Sequence, residues 1–181
     1  MTAINDLALT TLEGASFTLG DHKGEVLLLI NVASKCGFTP QYEGLEKLYQ
    51  NLKTKGFSVI GFPANDFGDQ EPGTDAEIAT FCSTTYGVSF PISSKITVSG
   101  PGKHPLYDAL IHAQPKTRDD GEAFRAKLRG YGMTPNPEPE VLWNFEKFVI
   151  ARDGTVAARF TSSTTPEDPA LMAVIEAELA E

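Results

Sequence analysis

Val26 to Val32, VLLLINV, constrains the possible folds more than any other stretch of the chain. A run of Leu and β-branched residues without polar alternation suits a strand buried on both faces, as in a parallel sheet covered by helices. The residues ASKCGFTPQ follow, then a segment with Leu45, Leu48, Tyr49 and Leu52 on one helical face. Thr39 and Pro40 suit the N-cap and first turn of that helix. Phe57 to Phe62, FSVIGF, reads as a second short strand, closed by Pro63.

A further helix is marked by Thr74 and Glu77 as a capping box, with Ile78, Phe81, Cys82 and Thr85 at i, i+3, i+4 and i+7. His104 to His112 gives a short helix. Phe145 to Phe160 reads as a hairpin turning at Asp153-Gly154, and Asp168-Pro169 opens a terminal helix. Alternating βα units followed by an antiparallel hairpin predict an α/β fold, a mixed central sheet with helices on both faces. That is the layout of a thioredoxin-like domain, expected to occupy residues 1–181 as one unit. Ala113 to Glu140 is long for a connection and holds Pro135, Pro137 and Pro139, so it is expected as a surface loop insertion, with a helical turn at Arg125 to Arg129.

Charge and composition exclude several classes. Fifteen Lys+Arg against 24 Asp+Glu give a net charge of −9, which disfavours nucleic acid and anionic lipid as partners. No apolar run of membrane-spanning length occurs. Met1 to Leu12 lacks the basic, apolar and small-residue pattern of an export signal, so a cytoplasmic location is expected. Cys36 and Cys82 are the only cysteines, and His22, His104 and His112 lie far from both, so neither a metal site nor a cofactor is expected.

The two cysteines are either buried apolar side chains or a redox pair. Cys36 sits one turn before a predicted helix N-terminus and next to Lys35, and both features favour a thiolate. A Cys-x-x-Cys dithiol is absent, since the fourth position is Thr39, which disfavours an ordinary disulfide oxidoreductase. Cleaving a peroxide also requires donors that stabilise the departing oxygen.

NVASKCGFTPQYEGLEKLY, GFPANDFGDQEPGTDAEI and LWNFEKFVIARDG, in that order, make the chain similar to the glutathione peroxidase family, in its cysteine-containing branch. The resemblance implies a catalytic tetrad of Cys36, Gln70, Trp143 and Asn144: a peroxidatic sulfur surrounded by amide and indole donors that carry no charge. Ala64 and Asp66 depart from the family's usual Cys and Gln, and Asp66 is expected to place an acid near the site.

Cys82 matches the position at which some family members carry a resolving cysteine. The resemblance therefore implies a Cys36–Cys82 disulfide recycled by thioredoxin, with glutathione as the other candidate reductant. The reading that follows is a thiol peroxidase reducing hydrogen peroxide and organic or lipid hydroperoxides, as a monomer or homo-oligomer. The alternative is a redox sensor or relay that passes its disulfide to a regulatory partner.

Overall fold

The computed structural model describes residues 3–181. Met1 and Thr2, at the head of the segment read as lacking an export signal, lie outside the described residues. A two-stranded hairpin, β1 (Leu9–Thr10) with β2 (Ser16–Phe17), comes first and was not anticipated from the sequence. The central sheet contains β3 (Val26–Val32), β4 (Phe57–Pro63), β5 (Lys147–Ile150) and β6 (Val156–Phe160), in the order β4-β3-β5-β6. β3 pairs parallel with β4, while β5 is antiparallel to both β3 and β6, so the sheet is mixed.

Every residue of β3 and β4 is buried, because side chains pointing to either face meet helices. Val26, Leu28, Ile30 and Val32 face α1 (Gln41–Leu52), α2 (Asp75–Tyr86) and α5 (Pro169–Leu179). Leu27 and Leu29 pack on the opposite face against Leu106, Tyr107, Leu110 and Ile111 of α3 (Pro105–Ala113). The helix starts follow capping chemistry. Thr74 and Glu77 form the reciprocal box of α2, the His104 ring accepts from the Leu106 amide, and the Asp168 carboxylate accepts from the Ala170 amide.

Two local expectations change. Thr39 does not cap α1; its hydroxyl is spent inside the turn that carries Cys36. Thr85 stands exposed, so the buried stripe of α2 narrows to Ile78 and Cys82.

The segment 113–140 is more ordered than its composition suggests. It holds a ten-residue helix, α4 (Gly121–Gly130), capped by the Asp120 carboxylate accepting from the Ala123 amide. Phe124 and Leu128, one turn apart, bury against Leu142 and pack on Phe38, Met133 and Trp143. Thus part of the expected surface loop is a helix with its own small apolar contact.

Candidate active site

Cys36 is the first residue of a tight turn between β3 and α1. The Thr39 amide donates to the Cys36 carbonyl at 3.0 Å. The Thr39 hydroxyl accepts from the Cys36 amide at 2.9 Å and donates to the Ala33 carbonyl at 2.8 Å, locking the turn to the end of the strand. The Phe38 amide then points at the sulfur and donates to Sγ across 3.3 Å. The amide aimed at the sulfur therefore comes from the turn rather than from the helix proper, and it supplies the fixed donor that a sulfur anion needs.

Gln70 and Trp143 share a cavity of about 310 Å³ with Gly37 and Phe38, the two residues after Cys36; α4 supplies Phe124, Lys127 and Leu128 to its wall. Asn144 is fully buried, and its side-chain amide donates to Gln70 Oε1 at 3.0 Å. Its own Oδ1 is buried without a hydrogen-bond partner. Trp143 packs against Phe67 with ring centroids 5.5 Å apart. Gly68 (φ 66°) and Asp69 (φ 51°) are both left-handed and deliver Gln70 to the site. A Cβ at Gly68 would sit 3.3 Å from the Trp143 ring, so both conformation and space call for glycine there.

Sequence reading missed what holds the Trp143–Asn144 turn. Phe145 adopts φ 68°, a costly conformation for a bulky residue, and turns the chain so that Asn144 points inward. Buried Asn31, in β3, clamps that turn from both sides. Its Nδ2 donates to the Trp143 carbonyl at 3.1 Å and its Oδ1 accepts from the Glu146 amide at 3.1 Å. Further on, Lys147 Nζ donates to the Phe145 carbonyl at 2.7 Å. The one polar residue in the β3 run was the available signal.

Asp66 lies on the neighbouring cavity, which it lines with Gly68 and Trp143. Its Oδ2 accepts from the Val98 amide at 2.6 Å, and burial raises its carboxyl somewhat despite that bond. Cys82 lies outside the Gln70–Trp143 cavity, on a separate one with Leu12, Ala79, Val88 and Phe90. Both thiols are free. Burial pushes the Cys82 thiol up, and the charge of Glu71 adds to the effect.

A model of the glutathione peroxidase family matches residues 4–111 of this chain. The chain belongs to the glutathione peroxidase family. It is 49% identical to the thioredoxin/glutathione peroxidase BtuE of Escherichia coli strain K12, over 98% of this chain and 100% of the relative. Among solved structures, Trgpx in its apo form is 34% identical with a TM-score of 0.71, covering 100% of this chain and 98% of its own. A thiol:disulfide interchange protein of the thioredoxin family from Chlorobium tepidum TLS aligns with a TM-score of 0.63 at 15% identity, over 98% of this chain and 96% of that one, and shows the shared fold. The fold is thioredoxin-like. The chain is a thiol peroxidase. No helix among the described residues is long and apolar enough to cross a membrane.

Proposed function

We propose that Cys36 attacks hydroperoxides, that Gln70, Trp143 and Asn144 serve the reaction, and that Cys82 resolves the oxidised sulfur for reduction by thioredoxin. In the first step the Cys36 thiolate attacks the terminal oxygen of ROOH and the O–O bond breaks. The alkoxide takes a proton and leaves as alcohol, or as water from hydrogen peroxide, and Cys36 becomes a sulfenic acid. The observation that carries this reading is the shared cavity: Gln70 and Trp143 line it with Gly37 and Phe38, the two residues that follow Cys36, and Asn144 orients Gln70. Neutral donors fixed in advance stabilise charge developing on the departing oxygen.

Cys82 then condenses with the sulfenic acid, giving a Cys36–Cys82 disulfide and water. The relative named thioredoxin/glutathione peroxidase supports thioredoxin as the reductant, with glutathione second. Apolar Phe38, Phe124 and Leu128 at the cavity wall suit organic as well as inorganic hydroperoxides.

The decisive experiment follows thiol oxidation by one equivalent of peroxide. Cys36→Ser abolishes turnover, because a hydroxyl is not ionised at neutral pH. Gln70→Ala, Trp143→Ala and Asn144→Ala each slow oxidation of Cys36 by roughly 10- to 1000-fold, the range for losing one charge-stabilising donor. Three wild-type rates would remove the tetrad. Peptide mapping of the oxidised protein finds the Cys36–Cys82 bond; two free thiols would remove Cys82 from the cycle.

A further inference from the structure

Glu71, the residue after Gln70, is 1% exposed, and its Oε2 is buried with no hydrogen-bond partner. A carboxyl placed so deep is costly unless something uses it. It lines a cavity of about 350 Å³ between the two redox elements. Ser34 and Lys35, which lead into the Cys36 turn, form one side, and Ile78 and Phe81 of α2 form the other. Cys82 is the next residue of α2 and shares the buried stripe with Ile78. The Cys82 thiol lies beside the Tyr42 hydroxyl, and the charge of Glu71 reaches both groups. The cavity thus gives the Cys82 segment room to move toward Cys36, past a carboxylate with one oxygen free of any partner.

We infer that Glu71 is the proton acceptor for Cys82 when the disulfide forms. The inference rests on Cys82 being the resolving cysteine. The chemistry balances within the protein. The Cys82 S–H bond breaks and its proton passes to the Glu71 carboxylate. The electron pair left on the Cys82 sulfur attacks the Cys36 sulfur, and the S–O bond of the sulfenic acid breaks. The departing hydroxide takes the proton back from Glu71 and leaves as water. Cys82 is oxidised, the sulfenic sulfur is reduced, and Glu71 ends as it began.

A thiol pushed up by burial is a poor nucleophile at neutral pH, so an internal base is what the step lacks. Burial also raises Glu71 itself, which strengthens it as a base; Ser34, Lys95 and Lys35 act in the opposite direction. The titratable and charged groups around it are Lys35 on the Cys36 loop, Lys95, Glu77 on α2, and the Tyr42–Cys82 pair. While Glu71 is ionised it holds the proton on Cys82, because two adjacent anions are disfavoured. This keeps the resolving thiol quiet until the sulfenic acid is there to be attacked.

The test is an acid-quench time course of the full-length protein with one equivalent of hydrogen peroxide, following peroxide consumed and disulfide formed from pH 5 to 9. In the wild type, disulfide formation falls as pH drops through the raised titration of Glu71. In Glu71→Gln the loss falls on disulfide formation, about 100-fold at pH 7 by the usual worth of a positioned base. The deficit narrows toward alkaline pH, where hydroxide takes the Cys82 proton in place of Glu71, and Glu71→Asp restores most of the rate. Should Glu71→Gln not fold, the acid limb of the wild type and its shift in Glu71→Asp carry the same test. Wild-type disulfide rates in Glu71→Gln, or a deficit independent of pH, overturn the inference. A wild-type protein that consumes peroxide and forms no Cys36–Cys82 bond overturns instead the reading on which it rests.

Discussion

A single polar side chain in an otherwise apolar strand organises much of the site. Asn31 satisfies a carbonyl and an amide of the Trp143–Glu146 turn, both in the interior, where an unpaired group costs about 1–3 kcal/mol. Asn31→Ala strips both partners at once, and Phe145, already left-handed, has less to hold it there. The expected outcome is a loss of about 2–6 kcal/mol in denaturant unfolding, by the cost of two orphaned groups. Cys36 oxidation slows with it, because Asn144 no longer meets Gln70 reliably. A variant with wild-type stability and rate would mean that the turn holds itself. Thr39 makes the same point at smaller scale. Its position before Pro40 suggested a helix cap, yet its hydroxyl bridges the Cys36 amide and the Ala33 carbonyl. Both roles use the same hydroxyl, and only neighbouring backbone decides which is filled.

Among the elements, α4 carries the largest difference from expectation. Residues 113–140 are polar and rich in proline, which reads as a loop, but Asp120, Glu122 and the basic Lys127 and Arg129 complement a helix dipole. With Phe124 and Leu128 as its only buried residues, α4 is held by few contacts. The ends of the segment are tied down elsewhere. Arg159 in β6 donates to the carbonyls of Gln114, Pro115, Pro139 and Glu140 while pairing with Glu146 at 2.7 Å. Replacing Phe124 and Leu128 together by Ala should therefore release α4 locally and leave the sheet intact. Amide exchange across residues 121–130 rises, Trp143 fluorescence shifts to the red as its cover lifts, and the global unfolding midpoint moves little. Continued protection of α4 in the double variant would show that the helix is held by other contacts. Arg159→Leu is a harsher change, since it strands the Glu146 carboxylate in the core and costs about 3–5 kcal/mol.

The whole molecule buries more ionisable chemistry than its size requires. Beside the Glu146–Arg159 pair sits Lys147, fully buried and pulled down to about 7 by its removal from water, against the pull of Asp119, Glu146 and Glu167. An unfolded lysine titrates near 10.5. Between pH 7 and 10.5 the unfolded chain therefore holds a proton that the fold does not, and stability from this group rises with pH. Below pH 7 both states are protonated and the contribution stops changing. Measured as unfolding free energy, the wild type should gain about 2 kcal/mol relative to Lys147→Met between pH 7 and pH 9, at 1.36 kcal/mol per unit of differential titration. Parallel curves for the two proteins would mean that Lys147 stays charged in the fold.

Periodicity and capping chemistry made the main elements of the sheet and its covering helices readable, because those signals are local. VLLLINV suited a strand covered on both faces, and Thr74 with Glu77 marked the start of α2 to the residue. The proposed site residues were also legible as three separate blocks around Cys36, Gln70 and Trp143. What brings those blocks together was not legible. Asn144 meets Gln70 across 74 residues and Asn31 meets the Trp143 carbonyl across 112, distances over which no sequence spacing carries information. The unpartnered Oε2 of Glu71 and the narrowed stripe of α2 likewise appear only once the elements pack. Local pattern decides which segments are helix or strand; hydrogen bonds and burial between distant segments decide where each polar atom points and which are left without a partner.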